Sequence, residues 1–392
     1  MIVRCLQNSS VFCRFFNLLR KEKEPGVLYL YMMYIGKKKT YMVIKRTAVC
    51  LPGLFVLLAA AAVIMFRNEL RSLGSLEKID TYGMFRMTYY GDYGFDDFLK
   101  TGAKSDKDIE RFVTERLLKG LPVHLSATGA GCTAFVVHNE RGDILYGRNF
   151  DFSYAPSLQV FTAPADGYAS VSTVNLSFAG YGKDKLPEKL HPDSFLVLAA
   201  PYPPFDGMND KGVAIALLAV PEADAPYAPE KITLNTTTMI RLVLDKAASV
   251  DEAVELMKKY TIYFSGGITC HYLIADSTGR SVLVEYYDGA VRTVKTGGEY
   301  QIASNFIAYN GVNIGEGFTE FDRYNAVKDE IIRNNNQLTN LRAIALLKNI
   351  GIYDGNTDKL QWSVLYNLTT GQTALFAHRN INNIVRSSLV MK

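Results

Sequence analysis

One short stretch of the 392-residue chain places a thiol, a guanidinium and a carboxylate where they could act together. In GAGCTAFVVHNERGDILYGRNFDF, Cys132 follows three small residues and opens an apolar run, and Glu140 to Asp143 marks a hairpin turn. The returning strand would carry Arg148, Asn149 and Asp151 back beside the first, with cross-strand neighbours about 5 Å apart. A nearby cation favours the thiolate form of a cysteine. A carboxylate can hold the arginine, or an amine, in place. No histidine is close in sequence to act as base. If Cys132 were a chain N-terminus, its own α-amine, with an ordinary pKa of about 7.7–8.0, could take the proton. The chemistry would be nucleophilic attack on a carbonyl, switched on by cleavage before Cys132. The rival reading is a buried strand cysteine beside a surface Arg–Asp pair, since free cysteine is among the most buried residue types.

The elements that must position these groups read as strands in runs and helices in pairs. Beyond the hairpin, LQVFTAP, ASVSTVNLSFAG, FLVLAAP and GVAIALLAV are each bounded by Gly, Pro, Asp or Asn. A helix through TTTMIRLVLDKAA precedes a second one opening at Ser249, with Glu252 three residues on as a capping box. CHYLIAD and SVLVEYY form another hairpin, AVRTVK and YQIAS continue the sheet, FDRYNAVKDEIIRN and LTNLRAIALLKN are helical, and QWSVLYNL and TALFAH are late strands. This order predicts an α+β fold of antiparallel sheets with helices segregated on their outer faces, not alternating βαβ units.

Upstream, Thr47 to Phe66 is free of charge and follows the cluster Lys37, Lys38, Lys39, Lys45 and Arg46. That pattern predicts a transmembrane signal-anchor with the later chain outside the cytoplasm; a cleaved signal peptide, with Ala60 and Ala62 at the cut, is the alternative. Met42 could be the true start. Residues 67–131 read as a pro-segment, with Ser105 capping a helix through DKDIERFVTERLLKG. Hydrophobic content of 48% and charged content of 21% allow a sizeable core. The net charge of +4 and the lack of an arginine-rich helix or zinc-finger spacing exclude a nucleic-acid partner. Of the 5 cysteines, only Cys132 and Cys270 follow the apolar run, so one disulfide between them is conceivable and a disulfide framework is not. His124, His138, His191, His271 and His378 show no ligand spacing, and no metal or cofactor is expected.

The stretch Cys132-Thr133-Ala134, followed after a hairpin by Gly147-Arg148-Asn149-Phe150-Asp151, resembles the choloylglycine hydrolase family and its acid ceramidase and N-acylethanolamine acid amidase relatives. These are N-terminal-nucleophile cysteine hydrolases of linear amide C–N bonds. DGMNDKG from Asp206, HYLIAD from His271, SNF from Ser304 and FDRY from Phe321 resemble later family stretches in the same order. The resemblance implies a four-layer αββα sandwich over 132–392. It implies Cys132 as nucleophile and, through its amine, base. Arg148 and Asp151 would orient thiol and amine, Asn209 and Asn305 would form the oxyanion hole, and Arg323 would brace the site. It implies a small-molecule acyl-amide substrate, bile-salt-like or an N-acyl amine, and a thioester acyl-enzyme. Ala134 departs from the family's frequent Ser. The 131 residues before Cys132 resemble the self-cutting relatives rather than the bile-salt hydrolases. Phe135, Phe152, Tyr202, Phe205 and Phe306 are candidates for an apolar acyl wall. The expected organisation is a cytoplasmic 1–46, a membrane segment 47–66, a pro-segment 67–131 and a catalytic domain 132–392, membrane-anchored or, if the signal is cut, secreted, and self-association stays open. Acyl transfer by the same fold, or a catalytically silent membrane-anchored binding protein, are the alternatives.

Overall fold

The computed structural model describes residues 63–120, 131–188, 191–295, 298–309 and 319–392. The chain divides into two units, Met1–Arg67 and Asn68–Lys392. Of the apolar run 47–66, residues 47–62 lie outside the described residues, and among the described residues no helix is long and apolar enough to cross a membrane.

Helix α1 (Arg67–Gly74) is followed by strands β1 (Glu77–Lys78) and β2 (Met84–Thr88) and helices α2 (Phe95–Thr101) and α3 (Asp106–Arg116). The hairpin β3 (Gly131–His138) and β4 (Ile144–Asp151) leads to β5 (Ser157–Thr162), β6 (Ser170–Asn175), β7 (Pro204–Asn209) and β8 (Ala214–Ala219). A parallel pair, β9 (Thr233–Asn235) and β10 (Thr261–Tyr263), brackets α4 (Thr236–Lys246) and α5 (Val250–Lys258). Then come β11 (Cys270–Ala275), β12 (Ser281–Tyr287), β13 (Ala290–Val294), β14 (Gln301–Ala303), α6 (Thr319–Arg333) and α7 (Asn340–Asn349). The small hairpin β15 (Tyr353–Asp354) and β16 (Thr357–Asp358) precedes β17 (Leu360–Asn367), β18 (Gln372–Ala377) and β19 (Val385–Ser388).

Two sheets organise the second unit. One has nine strands in the order β1-β2-β5-β6-β7-β8-β11-β12-β13, the other six in the order β14-β3-β4-β17-β18-β19. Helices α4 and α5 cover the first, α6 and α7 the second, and β3 and β14 face β8, β11 and β12 across the middle. The result is helix, sheet, sheet, helix. Both sheets are covered on both faces, so the period of two sorts residues between two apolar environments rather than between core and water. On β3, Cys132, Ala134 and Val136 join the inter-sheet core, while Phe135 and Val137 pack with Val327, Ile331 and Leu347 under the helices. Gly147 opposes Phe135 on that helix-facing side, where an added Cβ would lie 2.4 Å from the ring. Only glycine fits there.

The segment expected as a pro-segment is part of this body. β2 pairs parallel with β5 and carries β1 on its outer edge, so 77–88 extends the nine-stranded sheet. Tyr93 reaches Asp245 on α4 with its hydroxyl at 2.8 and 2.7 Å, and Phe95 and Phe98 are buried. Each such aromatic contributes about 2–3 kcal/mol. Ser105 caps α3 through the Asp108 N–H, as its sequence predicts. Ser249 caps α5 through the Glu252 N–H, while the Glu252 carboxylate takes the N–H of Ala248 rather than that of Ser249.

Candidate active site

The β3–β4 register decides which groups can meet. Cys132 lies opposite Phe150, Ala134 opposite Arg148, and Gly131 opposite Asp151. Opposed residues share a face, so Cys132 and Arg148 both enter the space between the sheets, and Asp151 faces the helix layer. The thiol, guanidinium and carboxylate expected to converge are therefore divided by the sheet. Arg148 Nη2 is 3.5 Å from Cys132 Sγ and 3.2 Å from the Leu217 carbonyl. Its Nε is 3.1 Å from Asp206 Oδ2, with both side chains fully buried. Asp206 also accepts Trp362 Nε1–H at 3.0 Å and the Tyr366 hydroxyl at 2.7 Å. A buried charge persists only when paired and hydrogen-bonded; Asp206 has both, while Arg148 has the ion pair and the Nη2 contacts and its Nε and Nη1 make no hydrogen bond among the described residues.

A strand edge completes the setting of the thiol. β7 pairs with β8 only from Asp206↔Ala216 to Met208↔Ala214, so past Ala216 the β8 groups on that side have no ladder partner. Leu217 O takes Arg148 and Ala219 O takes Asn305 Nδ2 at 2.7 Å, while the Ala219 N–H favours the ionised form of the Cys132 thiol. Burial pushes the thiol pKa up. Arg148 opposes this, Asp151 adds to it, and Arg323 and the Ala219 N–H pull it back without reversing it.

The cysteine's own nitrogen is held separately. Cys132 N–H donates to Asn305 Oδ1 at 2.6 Å, and Arg323 Nη2 donates to the same oxygen at 2.9 Å. Arg323 Nη1 bonds Asp151 Oδ2 at 2.9 Å, and Asp151 Oδ1 accepts the Ile352 N–H at 2.8 Å. Asp151 thus reaches Cys132 from behind the sheet, through Arg323 and Asn305. Burial raises the Asp151 pKa and the Arg323 charge opposes the rise. Gly131 sits at this junction, where an added Cβ would lie 2.5 Å from Ile352 Cδ1.

Five of the six expected site residues are joined by these contacts. The sixth, Asn209, is not joined to them. Its Nδ2 donates to the Leu244 and Ala247 carbonyls at 3.1 and 2.7 Å, and its Oδ1 accepts the N–H groups of Lys211 and Val213. That amide closes the end of α4 and the β7–β8 turn. It lies three positions from Asp206, an odd step that turns it to the opposite face of the strand. The groups at the candidate site that the sequence reading did not name are Asp206, which sits in the same DGMNDKG stretch, and the backbone of Ala219, which no side-chain letter announces. The aromatic wall is also redistributed. Phe135 faces the helices, Tyr202 packs with Phe95, Phe98 and Phe112, Phe205 meets Phe150, Phe178 and Trp362, and Phe306 meets Phe321 and Tyr324. Cys132 and Cys270 are free thiols. Among the described residues no group of three or more His, Cys, Asp and Glu is placed to hold a metal ion.

A thiol beside a guanidinium and a backbone N–H, with its own nitrogen on a separate acceptor, can support nucleophilic attack and oxyanion stabilisation. Comparison with known proteins bears on which chemistry this is. The chain is 31% identical over 165 residues to a bile salt hydrolase/transferase of Clostridium perfringens, covering 39% of this chain and 47% of that protein. It is 32% identical over 111 residues to a penicillin V acylase of Pectobacterium atrosepticum, covering 26% of this chain and 29% of that protein. The matches thus span about half or less of these relatives' own lengths. A crystal structure of a conjugated bile acid hydrolase variant from Clostridium perfringens superposes with a TM-score of 0.47 at 20% identity, over 66% of this chain and 92% of that one. The model of linear amide C-N hydrolases, choloylglycine hydrolase family, matches residues 132–342, more than half of the chain and starting at the candidate nucleophile itself. With that match over the segment that carries Cys132, Arg148, Asp151, Asn305 and Arg323, the chain belongs to the choloylglycine hydrolase family of linear amide C-N hydrolases.

Proposed function

We propose that the protein hydrolyses linear, non-peptide amides through Cys132, after the Gly131–Cys132 bond has been cut by Cys132 itself. The observation that carries this reading is the double hold on Cys132. Its thiol is addressed by Arg148 and the Ala219 N–H, and its nitrogen by Asn305 Oδ1 at 2.6 Å. In the uncut chain that nitrogen is an amide without a basic lone pair. Attack of the thiol on the Gly131 carbonyl moves the acyl group from nitrogen to sulfur, and the thiol proton ends on the released nitrogen. Water then hydrolyses the thioester, leaving a Gly131 carboxylate and a Cys132 α-amine. In turnover that amine takes the thiol proton and returns it to the leaving amine. Charge on the substrate oxygen would be met by the Ala219 N–H and by an Asn305 Nδ2 hydrogen, each donor being worth about 3–4 kcal/mol in such sites. Arg323 and Asp151 would brace Asn305.

For the substrate, the reading is an apolar acyl group on a small polar amine. The relatives matched are named for bile salts and for penicillin V. Fatty-acyl, bile-acyl and phenoxyacetyl amides should all be cut faster than short peptides. The Lys37–Arg46 cluster ahead of the apolar run supports a membrane tether with the catalytic domain outside the cytoplasm. A reporter fused after Lys392 that works only in the cytoplasm should then be silent.

The deciding experiment is intact-mass analysis of protein made in a protease-free translation mix. Wild type should yield a fragment beginning at Cys132, and Cys132→Ala should stay whole. The two fragments should elute together under native conditions, because β2 is a strand of the same sheet as β5. A wild-type chain that remains uncut yet hydrolyses amides at full rate overturns the argument from the free amine.

A further inference from the structure

His271 opens the HYLIAD stretch and takes no part in the chemistry above. Tyr272 next to it sends its hydroxyl to the α4 end at Thr236, so His271 faces the other way, into the space between the sheets. Its ring is buried, and its Nδ1 is 3.0 Å from Glu285 Oε1 on the neighbouring strand β12. Among the described residues its Nε2 has no hydrogen-bond partner. Glu285, 2% exposed, accepts the Ala308 N–H on Oε1 at 2.9 Å and the Tyr309 N–H on Oε2 at 2.8 Å. With two backbone donors already on the carboxylate, a hydrogen on Nδ1 would be a third. The pinned residues come three and four positions after Asn305. The ladder between β14 and β3 stops at Ala303↔Ala134, so among the described residues Asn305 itself lies outside that ladder. Ahead of Asn305 the segment is tied by Ser304 Oγ to Cys132 O at 3.4 Å, and behind it by a β-bridge at Ile307 and then by Glu285.

We infer that Glu285, oriented by His271, is a positioning residue for Asn305: it anchors the backbone just past the bridge at Ile307 and so keeps the Asn305 amide aligned between Cys132 N and Ala219 O. The inference rests on the reading of Asn305 as part of the site. A carboxylate suits the task because both of its oxygens accept, whereas an amide of the same size turns an N–H toward one of the two backbone N–H groups. Misplacement of a catalytic group by about 1 Å can cost about a hundredfold in rate, so a partial loosening should be visible in kcat.

The test uses Glu285→Gln, Glu285→Asp and His271→Phe in the full chain. Turnover is counted per folded molecule, with the folded fraction read from the native unfolding transition, so that misfolded molecules drop out. Glu285→Gln should lower kcat about tenfold with KM within about threefold. Glu285→Asp should recover part of the loss, and His271→Phe, which leaves both backbone donors in place, should cost less than Glu285→Gln. A second measurement does not depend on turnover. In an uncut Cys132→Ala background, Glu285→Gln should speed hydrogen exchange at Ala308, at Tyr309 and at the N–H of position 132. Unchanged kcat per folded molecule, or faster exchange at 308 and 309 with none at position 132, overturns the inference. If wild type cuts no amide, the hydrolase reading falls, and exchange at position 132 still decides this one.

Discussion

Two buried thiols lie on opposite sides of one sheet's plane. Cys132 is 0% exposed and Cys270 is 1% exposed, and burial pushes both pKa values up, Cys270 to about 12. Burial therefore does not distinguish them; their partners do. Cys132 faces the inter-sheet space, where Arg148 and the Ala219 N–H favour its ionised form. Cys270 pairs across the ladder with Ala219 and shares the helix-facing side with Tyr272, and no nearby cation opposes its rise. A strand that turned Cys132 by one residue would give it surroundings like those of Cys270.

The largest expected effect tests that contrast directly. Cys132→Ala should lower amide hydrolysis by at least about a thousandfold, and Cys270→Ala should leave it within about twofold, each measured on protein with a native unfolding transition. A folded Cys270→Ala that loses turnover would erase the comparison. Next comes the network behind the reactive thiol. Arg148→Met leaves Asp206 buried without its cation, and should cost about 3–5 kcal/mol in a denaturant titration, together with slower alkylation of Cys132. Unaltered stability would mean that Asp206 is carried by Trp362 and Tyr366 alone. The two asparagines extend the comparison to their own faces. Asn305→Ala should lower kcat about a hundredfold or more. Asn209→Ala should instead lower stability by about 1–3 kcal/mol with kcat per folded molecule kept; a kcat loss equal to that of Asn305→Ala would return Asn209 to the oxyanion hole. The smallest effect is the pH profile. Because the Cys132 pKa is raised, the neutral thiol dominates near neutrality, and the alkylation rate of uncut chain should climb about tenfold per pH unit up to about pH 9 without levelling. Cys270 should react only after unfolding. A plateau for Cys132 below about pH 7 would mean that Arg148 and the Ala219 N–H outweigh burial.

Much of the site was legible because it is local. The hairpin from Cys132 to Asp151 reads from alternation and a turn, and so do the strand runs and helix pairs that make this an α+β sandwich rather than a βαβ array. Alternation also contained an answer that motif reading passed over, since Asp206 and Asn209 stand an odd number of residues apart on one strand and must face opposite layers.

From its letters alone, the chain determined a cysteine opening a strand after small residues, an arginine and a carboxylate on the returning strand, and the order of the later Asn- and Arg-bearing stretches. Local periodicity and turn chemistry act over a few residues, so these follow from sequence. The tertiary structure alone decided that β7 parts from β8 past Ala216, baring the backbone of Leu217 and Ala219 to the site. It alone decided that Asp151 works through Arg323 and Asn305, and that residues 68–120 belong to the same unit as the candidate catalytic residues. Every non-proline residue carries the same N–H and C=O, so no letter marks the one that will be left without a ladder partner. That is settled only when strands distant in sequence choose where their pairing stops.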